Sequence, residues 1–397
     1  MERSVGTVVR GLRAPIIKEG DDLVQIVVDS IINAAENEGY DIQDRDIIAI
    51  TESIVARAQG NYANIDDIAT DIKEKFQDET VGVLFPILSR NRFMNLLKGF
   101  ARGAKEIVIQ LSYPADEVGN HLITLDQLDE SGINPWSDTL TEEQFLETFG
   151  ETSHPFTGVD YIALYNEIVA DENTPCKIIF SNDPKAILEY TDSVLVSEVE
   201  QRDRTKRILS NAGAKNVYDL GDILKEAVSE NGGYNEEFGL LGANNATDES
   251  VKLFPSGSQE VVEAIQAKMQ EQTGKTIEAM VYGDGAFKDP VGKIWELADP
   301  VVSPGFTLGL AGTPNEVKLK YLADNDYADL SGEALQDAIR ESIDQKATQA
   351  KDSKASLGTT PRQLTDLIGS LADLTSGSGD KGTPFVYIQG YFDDYTS

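Results

Sequence analysis

The sequence predicts a mixed fold of helices and strands, in which a small α/β domain interrupts a second folding unit. Between about Lys105 and Gly233, short apolar runs alternate with helical segments, which is typical of an α/β domain with a mostly parallel sheet. After that region the chain returns to a pattern continuous with its ends. We therefore predict that residues 1–104 and 236–397 form two parts of one core, and that residues 105–235 form the inserted domain.

The first element is an amphipathic helix. Asp21 and Asp22 stand at the helix-start position, and the segment ends near Gly39. Between them, apolar residues recur at helical spacing: Leu23, Ile26, Val27, Ile31 and Ala34.

A buried strand is predicted next, at 46–50, followed by a turn with Thr51, Glu52 and Ser53 and by a second helix that contains Arg57. Polar side chains directly after a buried strand often contact ligands in α/β proteins. The alternative is that they cap the helix.

The inserted region combines strand-like runs with polar segments. EIVIQLSY, CKIIFSN, SVLVSEV and NVYDLGDI are predicted strands, and DRTKRILSNAG is a predicted helix. The loop PADEVGNHLI carries Asp116, Glu117, Asn120 and His121, which could bind a cation or a polar ligand or could simply be solvated. The basic run 202–207 could receive a phosphate or carboxylate, or could pair with nearby acids on a solvated helix face.

The third region contains a predicted Asn-rich turn in GANNA, an amphipathic helix around Val262 and Ile265, and a strand at 276–282. A tight turn, 283–285, follows that strand and carries Asp284 at its tip. A carboxylate in this position can face a cleft and bind a hard cation through oxygen. The alternative is that Asp284 only forms the turn.

Near the C-terminus, a helical pattern from Leu364 to Leu374 leads into the glycine-rich segment SGSGDKGTP and the strand-like FVYIQGY. Glycine tolerates positive φ and has no Cβ, so successive N–H groups of such a loop can converge on a phosphate. Lys381 would add a positive charge. A plain connection between helix and strand is the alternative.

Composition excludes several classes of function. The 397 residues carry a formal net charge of -34, which argues against nucleic-acid and anionic-membrane partners, since both require basic patches. The single cysteine, Cys176, permits no internal disulfide, and the sequence contains neither a signal-peptide pattern nor an apolar run of membrane-spanning length. We expect a cytoplasmic protein.

The sequence also disfavours a multi-histidine metal site and a P-loop nucleotide site. His121 and His154 are the only histidines, which is too few for a multi-histidine metal site. The string TGKT mimics the end of a P-loop, but Met269 stands where the required glycine should be, and the segment runs from helix to strand. We reject a P-loop.

Four segments, taken together, resemble one family. GLRAPIIKEGDDL, ITESIVARAQG, GANNATDESVKLFP with TGKTIEAMVYGDG, and PRQLTDLIGSLADLTSGSGDKGTPFVYIQG are similar to the GTP-dependent coenzyme F-420 gamma-glutamyl ligases. The resemblance covers about residues 8–100 and 238–392. It implies an α+β fold, a homodimer, and a nucleotide site that is neither Rossmann nor P-loop. It also implies addition of L-glutamate to a small carboxylate acceptor, with GTP and Mg²⁺ or Mn²⁺.

The resemblance assigns roles to individual residues. The implied nucleotide-binding residues are Pro15, Ile16, Ile17, Glu52, Ser53, Arg57, Asn245, Ser376, Gly377, Ser378, Gly379 and Asp380. The implied metal ligand is Asp284.

The chain departs from the family pattern at three implied metal ligands. Gly242 replaces an Asp, Gly285 replaces a Thr, and Ser378 or Gly377 stands where a Glu is expected. A two-metal site would lose most of its carboxylates. Either the inserted domain supplies substitutes, for which Asp116, Glu117 and Asp289 are candidates, or the activity has changed.

Three functional hypotheses follow. The first is an ATP- or GTP-dependent ligase that joins an amino acid such as glutamate to a carboxylate acceptor through an acyl phosphate. The second is a non-catalytic nucleotide- or metabolite-binding protein on the same scaffold. In the third, the inserted domain carries a separate binding function.

Overall fold

The structure is a computed structural model, and it describes residues 4–77, 79–154, 157–230, 232–283, 302–314, 316–345, 362–376 and 379–394. The chain divides into two compact units, which are described separately. Unit 1 consists of Met1–Val55, Gly257–Asp284 and Lys288–Ser397, and unit 2 consists mainly of Ala56–Ser256. The predicted inserted domain, 105–235, lies within unit 2, and its boundaries stay a prediction.

The described strands are, in chain order, β1 (Val8–Leu12), β2 (Ile47–Thr51), β3 (Tyr62–Asn64), β4 (Thr80–Leu84), β5 (Glu106–Leu111), β6 (Leu140–Thr141), β7 (Cys176–Phe180), β8 (Ser193–Val196), β9 (Asn216–Asp219), β10 (Asn244–Thr247), β11 (Ser250–Lys252), β12 (Glu278–Gly283), β13 (Val302–Phe306) and β14 (Phe385–Gln389).

The described α-helices are α1 (Leu23–Glu38), α2 (Glu52–Gln59), α3 (Ile65–Phe76), α4 (Arg90–Gly103), α5 (Leu125–Ser131), α6 (Glu142–Phe149), α7 (Tyr161–Asp171), α8 (Arg202–Asn211), α9 (Ser258–Thr273), α10 (Leu319–Tyr321), α11 (Gly332–Asp344) and α12 (Leu364–Ser376). Helix and strand together make this a mixed fold, as predicted.

Helix α1 begins and ends as its sequence predicts. The Asp22 carboxylate accepts a hydrogen bond of 3.0 Å from the Gln25 amide, which satisfies one of the free N–H groups of the first turn. Gly39 terminates the helix in the left-handed conformation, with φ 69°. Val27, Val28 and Ile31 of its apolar stripe are fully buried, whereas Ile26 and Ala34 are half-buried.

Unit 1 contains a five-stranded sheet in the order β1-β14-β2-β12-β13. Strands β2 and β12 run parallel, and the other neighbouring pairs are antiparallel. Helix α12 covers one face, where Ile368 and Ala372 pack on Ile47, Ala49 and neighbouring strand residues. Helix α9 contacts β12 and β13 and also α1. The central strand β2 is therefore buried along Ile47–Ile50.

Unit 2 contains a six-stranded sheet in the order β6-β7-β5-β4-β8-β9. All neighbouring pairs are parallel except that of β6 with β7. The predicted mostly parallel sheet is thus confirmed. It also includes β4, which precedes the predicted domain boundary at 104/105.

The Asn-rich segment predicted as a turn is a strand. Residues 244–247 form β10, which pairs antiparallel with β11 in a small sheet that also contains β3. The turn ends two residues before the first asparagine, at Gly242, which takes the left-handed conformation (φ 72°); Asn244 Nδ2 donates to its carbonyl oxygen at 3.3 Å. Turn-favouring composition was therefore overridden by strand pairing.

The basic run on α8 is at least partly paired with acids. Lys206 Nζ lies 3.0 Å from Asp219 Oδ2 and also bonds Asp222. Arg202 Nε lies 4.0 Å from Asp219 Oδ2. These contacts favour the interpretation of a helix face that pairs with nearby acids.

None of the helices in the described ranges has the length and apolar composition that crossing a membrane requires.

A buried polar network ties β14 to the start of β2. Asp46 is 2% exposed, and its carboxylate accepts from the Tyr387 hydroxyl, from Gln389 Nε2 at 3.3 Å and from the Gln43 amide at 2.8 Å. Arg10 Nη1, on β1, donates to Gln389 Oε1 at 3.0 Å. Burial raises the pKa of Asp46, and the hydrogen bond from Tyr387 opposes that rise.

We expect Tyr387→Phe to lower the free energy of unfolding of unit 1 by about 1–3 kcal/mol, because a buried carboxylate loses a donor. Since Asp46 titrates above its ordinary pKa, the loss should grow as the pH rises and the carboxylate ionises, and shrink where it is protonated. Urea denaturation at several pH values measures this. Tyr234→Phe, at a hydroxyl-bearing side chain that is 45% exposed, is the control. An equal loss in both variants would contradict the role of the network.

Candidate functional site

The unit 1 sheet brings four chain segments to one of its edges. Parallel pairing of Thr51 with Tyr282 places the ends of β2 and β12 side by side. Strand β14 starts at the same edge, because Phe385 pairs antiparallel with Ile50, and β1 ends there, because Leu12 pairs with Phe385. The segment after β1, the start of α2, the end of β12 and the connection from α12 to β14 therefore meet at this strand-end edge.

The glycine-rich connection is fastened at its base. Thr383 Oγ1 donates to the Ser376 carbonyl oxygen at 2.8 Å, which closes the connection into a loop. The Ala14 amide donates to the Gly382 carbonyl oxygen at 3.1 Å, and the Thr51 amide to that of Pro384 at 3.2 Å. The loop base is thus held by the segment after β1 and by the end of β2.

The described part of the loop is a tight turn. Residues Gly379–Lys381 form a 3-10 turn, and Gly382 follows with φ 65°, a conformation that favours glycine. Asp380 and Lys381 are exposed. Gly377 and Ser378 lie outside the described residues.

The segment after β1 presents two contrasting side chains. Ile16 is 80% exposed, whereas Ile17 is 4% exposed and anchors the segment in the core. Pro15 is exposed as well. The three residues that the resemblance assigns to nucleotide contact therefore start directly beside the loop base.

Glu52 and Gly283 interlock at the strand-end edge. Glu52, the first residue of α2, is 3% exposed, and Ser53 beside it is exposed. A Cβ added to Gly283 would lie 2.3 Å from Glu52 Cγ and 3.2 Å from Glu52 Cβ. The Glu52 side chain therefore occupies the space above the end of β12, and only glycine fits opposite it.

The other predicted contacts, Arg57 and Asn245, belong to unit 2. Arg57 is exposed in the last turn of α2. Asn245 Nδ2 donates to the Arg90 carbonyl oxygen at 2.9 Å, whereas Asn245 Oδ1 is buried without a hydrogen-bond partner within the part of the chain that is described. A buried amide oxygen of this kind can accept a hydrogen bond from a ligand.

Comparison with known proteins identifies the family. The sequence model of the family F420-0:Gamma-glutamyl ligase matches residues 11–390. This chain belongs to the F420-0:gamma-glutamyl ligase family.

A curated relative gives a more limited match. The coenzyme F420:L-glutamate ligase of Methanothermobacter thermautotrophicus is 38% identical over 66 residues, which are 15% of this chain and 25% of that protein. The chain thus matches only a quarter of the length of that relative.

The implied metal ligands of this family member are only partly described. Asp284, Gly285 and Asp289 lie outside the described residues. Within the ranges that are described, no group of three or more His, Cys, Asp or Glu side chains could hold a metal ion. The candidate substitutes Asp116 and Glu117 belong to unit 2, where both carboxylates accept hydrogen bonds from backbone amides.

Gly242 cannot be an aspartate in this backbone. Its φ is 72°, and a Cβ there would lie 2.6 Å from Phe254 Cδ2. A side chain would be strained by the left-handed conformation and would clash with a buried ring. The local packing therefore requires glycine at this position.

Sequence reasoning missed the residues that shape the edge. Thr383 was assigned no role, and Gly283 was predicted to begin a tight turn, whereas it is the last residue of β12; each makes a close contact there. The string Gly-Thr-Pro directly before a strand signals a fixed loop base, and a glycine that ends a buried strand signals close approach of another group.

We expect Gly283→Ala to cost about 1–3 kcal/mol of stability, because the methyl group displaces the Glu52 side chain. Gly6→Ala is the control, since a Cβ there would meet no atom within 4 Å. The double variant Glu52→Ala with Gly283→Ala should recover part of the loss, so the two effects should not add in chemical denaturation. Strict additivity would show that the two side chains do not interlock.

Proposed function

We propose that this chain is a nucleotide-dependent ligase that joins L-glutamate to a small carboxylate acceptor. The observation that supports this most directly is the meeting of four segments at the strand-end edge of unit 1, because they include Ile16, Glu52 and the loop that starts at Ser376. The family membership supports the same reaction class.

The proposed chemistry has two steps. A carboxylate oxygen of the acceptor attacks the γ-phosphorus of the nucleotide, so that the bond from phosphorus to the bridging oxygen breaks and a nucleoside diphosphate leaves. The glutamate amine then attacks the acyl carbon, inorganic phosphate leaves and the nitrogen loses a proton. Both steps require positioning and charge neutralisation more than acid-base side chains.

We assign triphosphate binding to the loop from Ser376 to Asp380 and its base. The bond from Thr383 to Ser376 and the left-handed Gly382 fix the loop ends, which lowers the entropy lost when a phosphate is bound. Exposed Lys381 supplies a positive charge, which matters on a chain with a net charge of -34. GTP is the nucleotide that the family implies, and ATP remains an alternative.

The described residues do not by themselves supply a site for Mg²⁺ or Mn²⁺. Glu52 is the buried carboxylate at the strand-end edge, and Asp284 follows Gly283 in sequence. We propose Asp284 as a cation ligand and assign no step of the reaction to a cation.

The second candidate function is nucleotide or metabolite binding without catalysis. The conformation of Gly242 favours it, because this position cannot carry the aspartate that the family pattern implies. Binding would then persist where turnover is lost.

We also propose a cytoplasmic homodimer. Leu308 of unit 1, an apolar side chain that is 88% exposed, would be covered by association. Light scattering of the purified chain measures the oligomeric state.

Burial raises the pKa of the Cys176 thiol to about 12, so this cysteine is suited to neither redox nor metal chemistry.

A ligase should release nucleoside diphosphate from GTP and Mg²⁺ only when glutamate and an acceptor acid are both present. We expect Asp284→Ala to abolish metal-dependent GTP binding in calorimetry while the thermal transition is preserved. The Asp380 side chain is an exposed negative charge on the loop that is proposed to bind the triphosphate. We expect Asp380→Ala to strengthen GTP binding several-fold, because the substitution removes repulsion between this carboxylate and the phosphates.

The outcomes separate the candidates. GTP binding without turnover would favour a non-catalytic binding protein. If GTP does not bind, neither the ligase activity nor nucleotide binding can be assigned to unit 1. Unchanged affinity in Asp284→Ala would remove this residue from the site.

A further inference from the structure

Unit 2 carries an open groove beside helix α8, which we call the α8 groove. Its volume is about 610 Å³, within the range of roughly 300–1,000 Å³ that is typical of small-molecule sites. Its lining comes from the loop before β6, from the segment after β7 and from α8. None of the residues to which the proposed ligase function is assigned lines this groove.

The groove is built on one face of the six-stranded sheet. A 3-10 segment, Pro184–Glu189, follows β7, and its Ile187 packs with Leu209 of α8 in one buried cluster on β5, β7 and β8. Pro184 and Ile208 lie beside these two residues in sequence and line the groove. The groove therefore has an apolar part that rests on the core of unit 2.

Hydrogen bonds fix the segment that follows β7. The fully buried Gln110 of β5 donates from Nε2 to the carbonyl oxygens of Ser181 at 2.9 Å and Asp183 at 2.8 Å. The Asn182 side chain donates to the Tyr113 carbonyl oxygen at 2.7 Å and accepts from the Tyr113 amide at 3.0 Å. A wall that is ordered in advance loses little entropy when a ligand binds.

Trp136 stands at the groove with most of its surface in water. The side chain is 62% exposed. The backbone around it is held in place, because the Trp136 amide donates to Asn134 Oδ1 at 3.0 Å and the Pro135 carbonyl oxygen accepts from the Asn182 amide at 2.7 Å. An exposed indole on a fixed backbone offers a large planar surface to another ring.

Arg204 differs from two other cations of the basic run 202–207. Arg202 and Lys206 form ion pairs with acids. Arg204 Nη1 instead donates to the neutral Gln201 Oε1 at 3.5 Å. Burial raises the pKa of Glu198, and the charge of Arg204 opposes that rise. Arg204 is exposed and lines the groove.

The charged side chains of the groove favour a monoanion. Lys185 and Arg204 are positive and Asp183 is negative. Lys185 Nζ lies 3.5 Å from Asp183 Oδ2, so these two charges largely compensate and the charge of Arg204 remains. A positive balance is unusual on a chain with a net charge of -34, and a guanidinium matches the two oxygens of a carboxylate.

We propose that the α8 groove binds a small aromatic carboxylate. Trp136 packs against the ring of the ligand, Pro184 and Ile208 contact its apolar edge, and Arg204 binds the carboxylate, with Lys185 beside it. The groove thus gives unit 2 a binding function of its own, separate from the reaction proposed for unit 1.

Benzoate is the probe, and the Nε1–H signal of Trp136 in a ¹H–¹⁵N correlation spectrum of the full-length chain is the readout. Trp295→Phe removes the second tryptophan of the sequence and so assigns the signal. At constant ionic strength, benzoate should shift this signal in a saturable manner. Benzamide, which has the same ring without the charge, should bind about tenfold more weakly, because charge-assisted hydrogen bonds are lost.

Substitutions separate the contributions of charge and ring. Arg204→Gln should weaken benzoate binding about tenfold and leave benzamide binding unchanged. Arg207→Gln, at an exposed arginine of the same helix that does not line the groove, is the matched control and should leave both unchanged. Trp136→Ala should abolish binding of both compounds, as measured by saturation-transfer NMR of the ligand.

Three results would overturn the proposal. They are a Trp136 signal that does not shift saturably with benzoate, equal affinity for benzoate and benzamide, and an equal loss of benzoate affinity in Arg204→Gln and Arg207→Gln. Each variant changes an exposed side chain, and an unchanged thermal transition verifies that it is folded.

Discussion

The parallel pairing of β2 with β12 is the constraint on which the candidate site depends. It joins residues that are far apart along the chain and sets Thr51 opposite Tyr282. Because the pairing is parallel, both strands end at the same edge, and Glu52 and Gly283 become neighbours. The pairing of β14 with β2 then brings the glycine-rich loop to that edge. A shift of register would separate all these groups at once.

Local signals in the sequence predicted the elements well. Asp22 and Gly39 marked the ends of α1, and the runs of β5, β7 and β8 were recognised with their parallel arrangement. The strands predicted at 46–50 and 276–282 are present with shifted ends, as β2 and β12. The asparagines of β10 were misjudged, because pairing with β11 depends on residues that no local pattern reveals.

The candidate site was less predictable than the fold. Composition and motifs indicated which loops carry polar residues, but not that Glu52 fills the space above Gly283 or that Phe254 closes off Gly242. Likewise, Asp116 and Glu117 were predicted as a loop cluster, whereas their backbone partners lie on two other loops. Such contacts arise from long-range topology, and a carboxylate that binds amides has the same sequence signature as a solvated one.

The discontinuous make-up of unit 1 has a consequence for synthesis on the ribosome. Unit 2 is nearly continuous in sequence, and its main segment, Ala56–Ser256, is complete once residue 256 has emerged, whereas β2 gains its neighbours only after residues 278–283 and 385–389 are translated. Until then the apolar strand Ile47–Thr51 leaves the exit tunnel without its partners. Nascent chains in this state are open to intermolecular strand pairing, so chaperone capture near the N-terminal segment would protect the yield of folded protein.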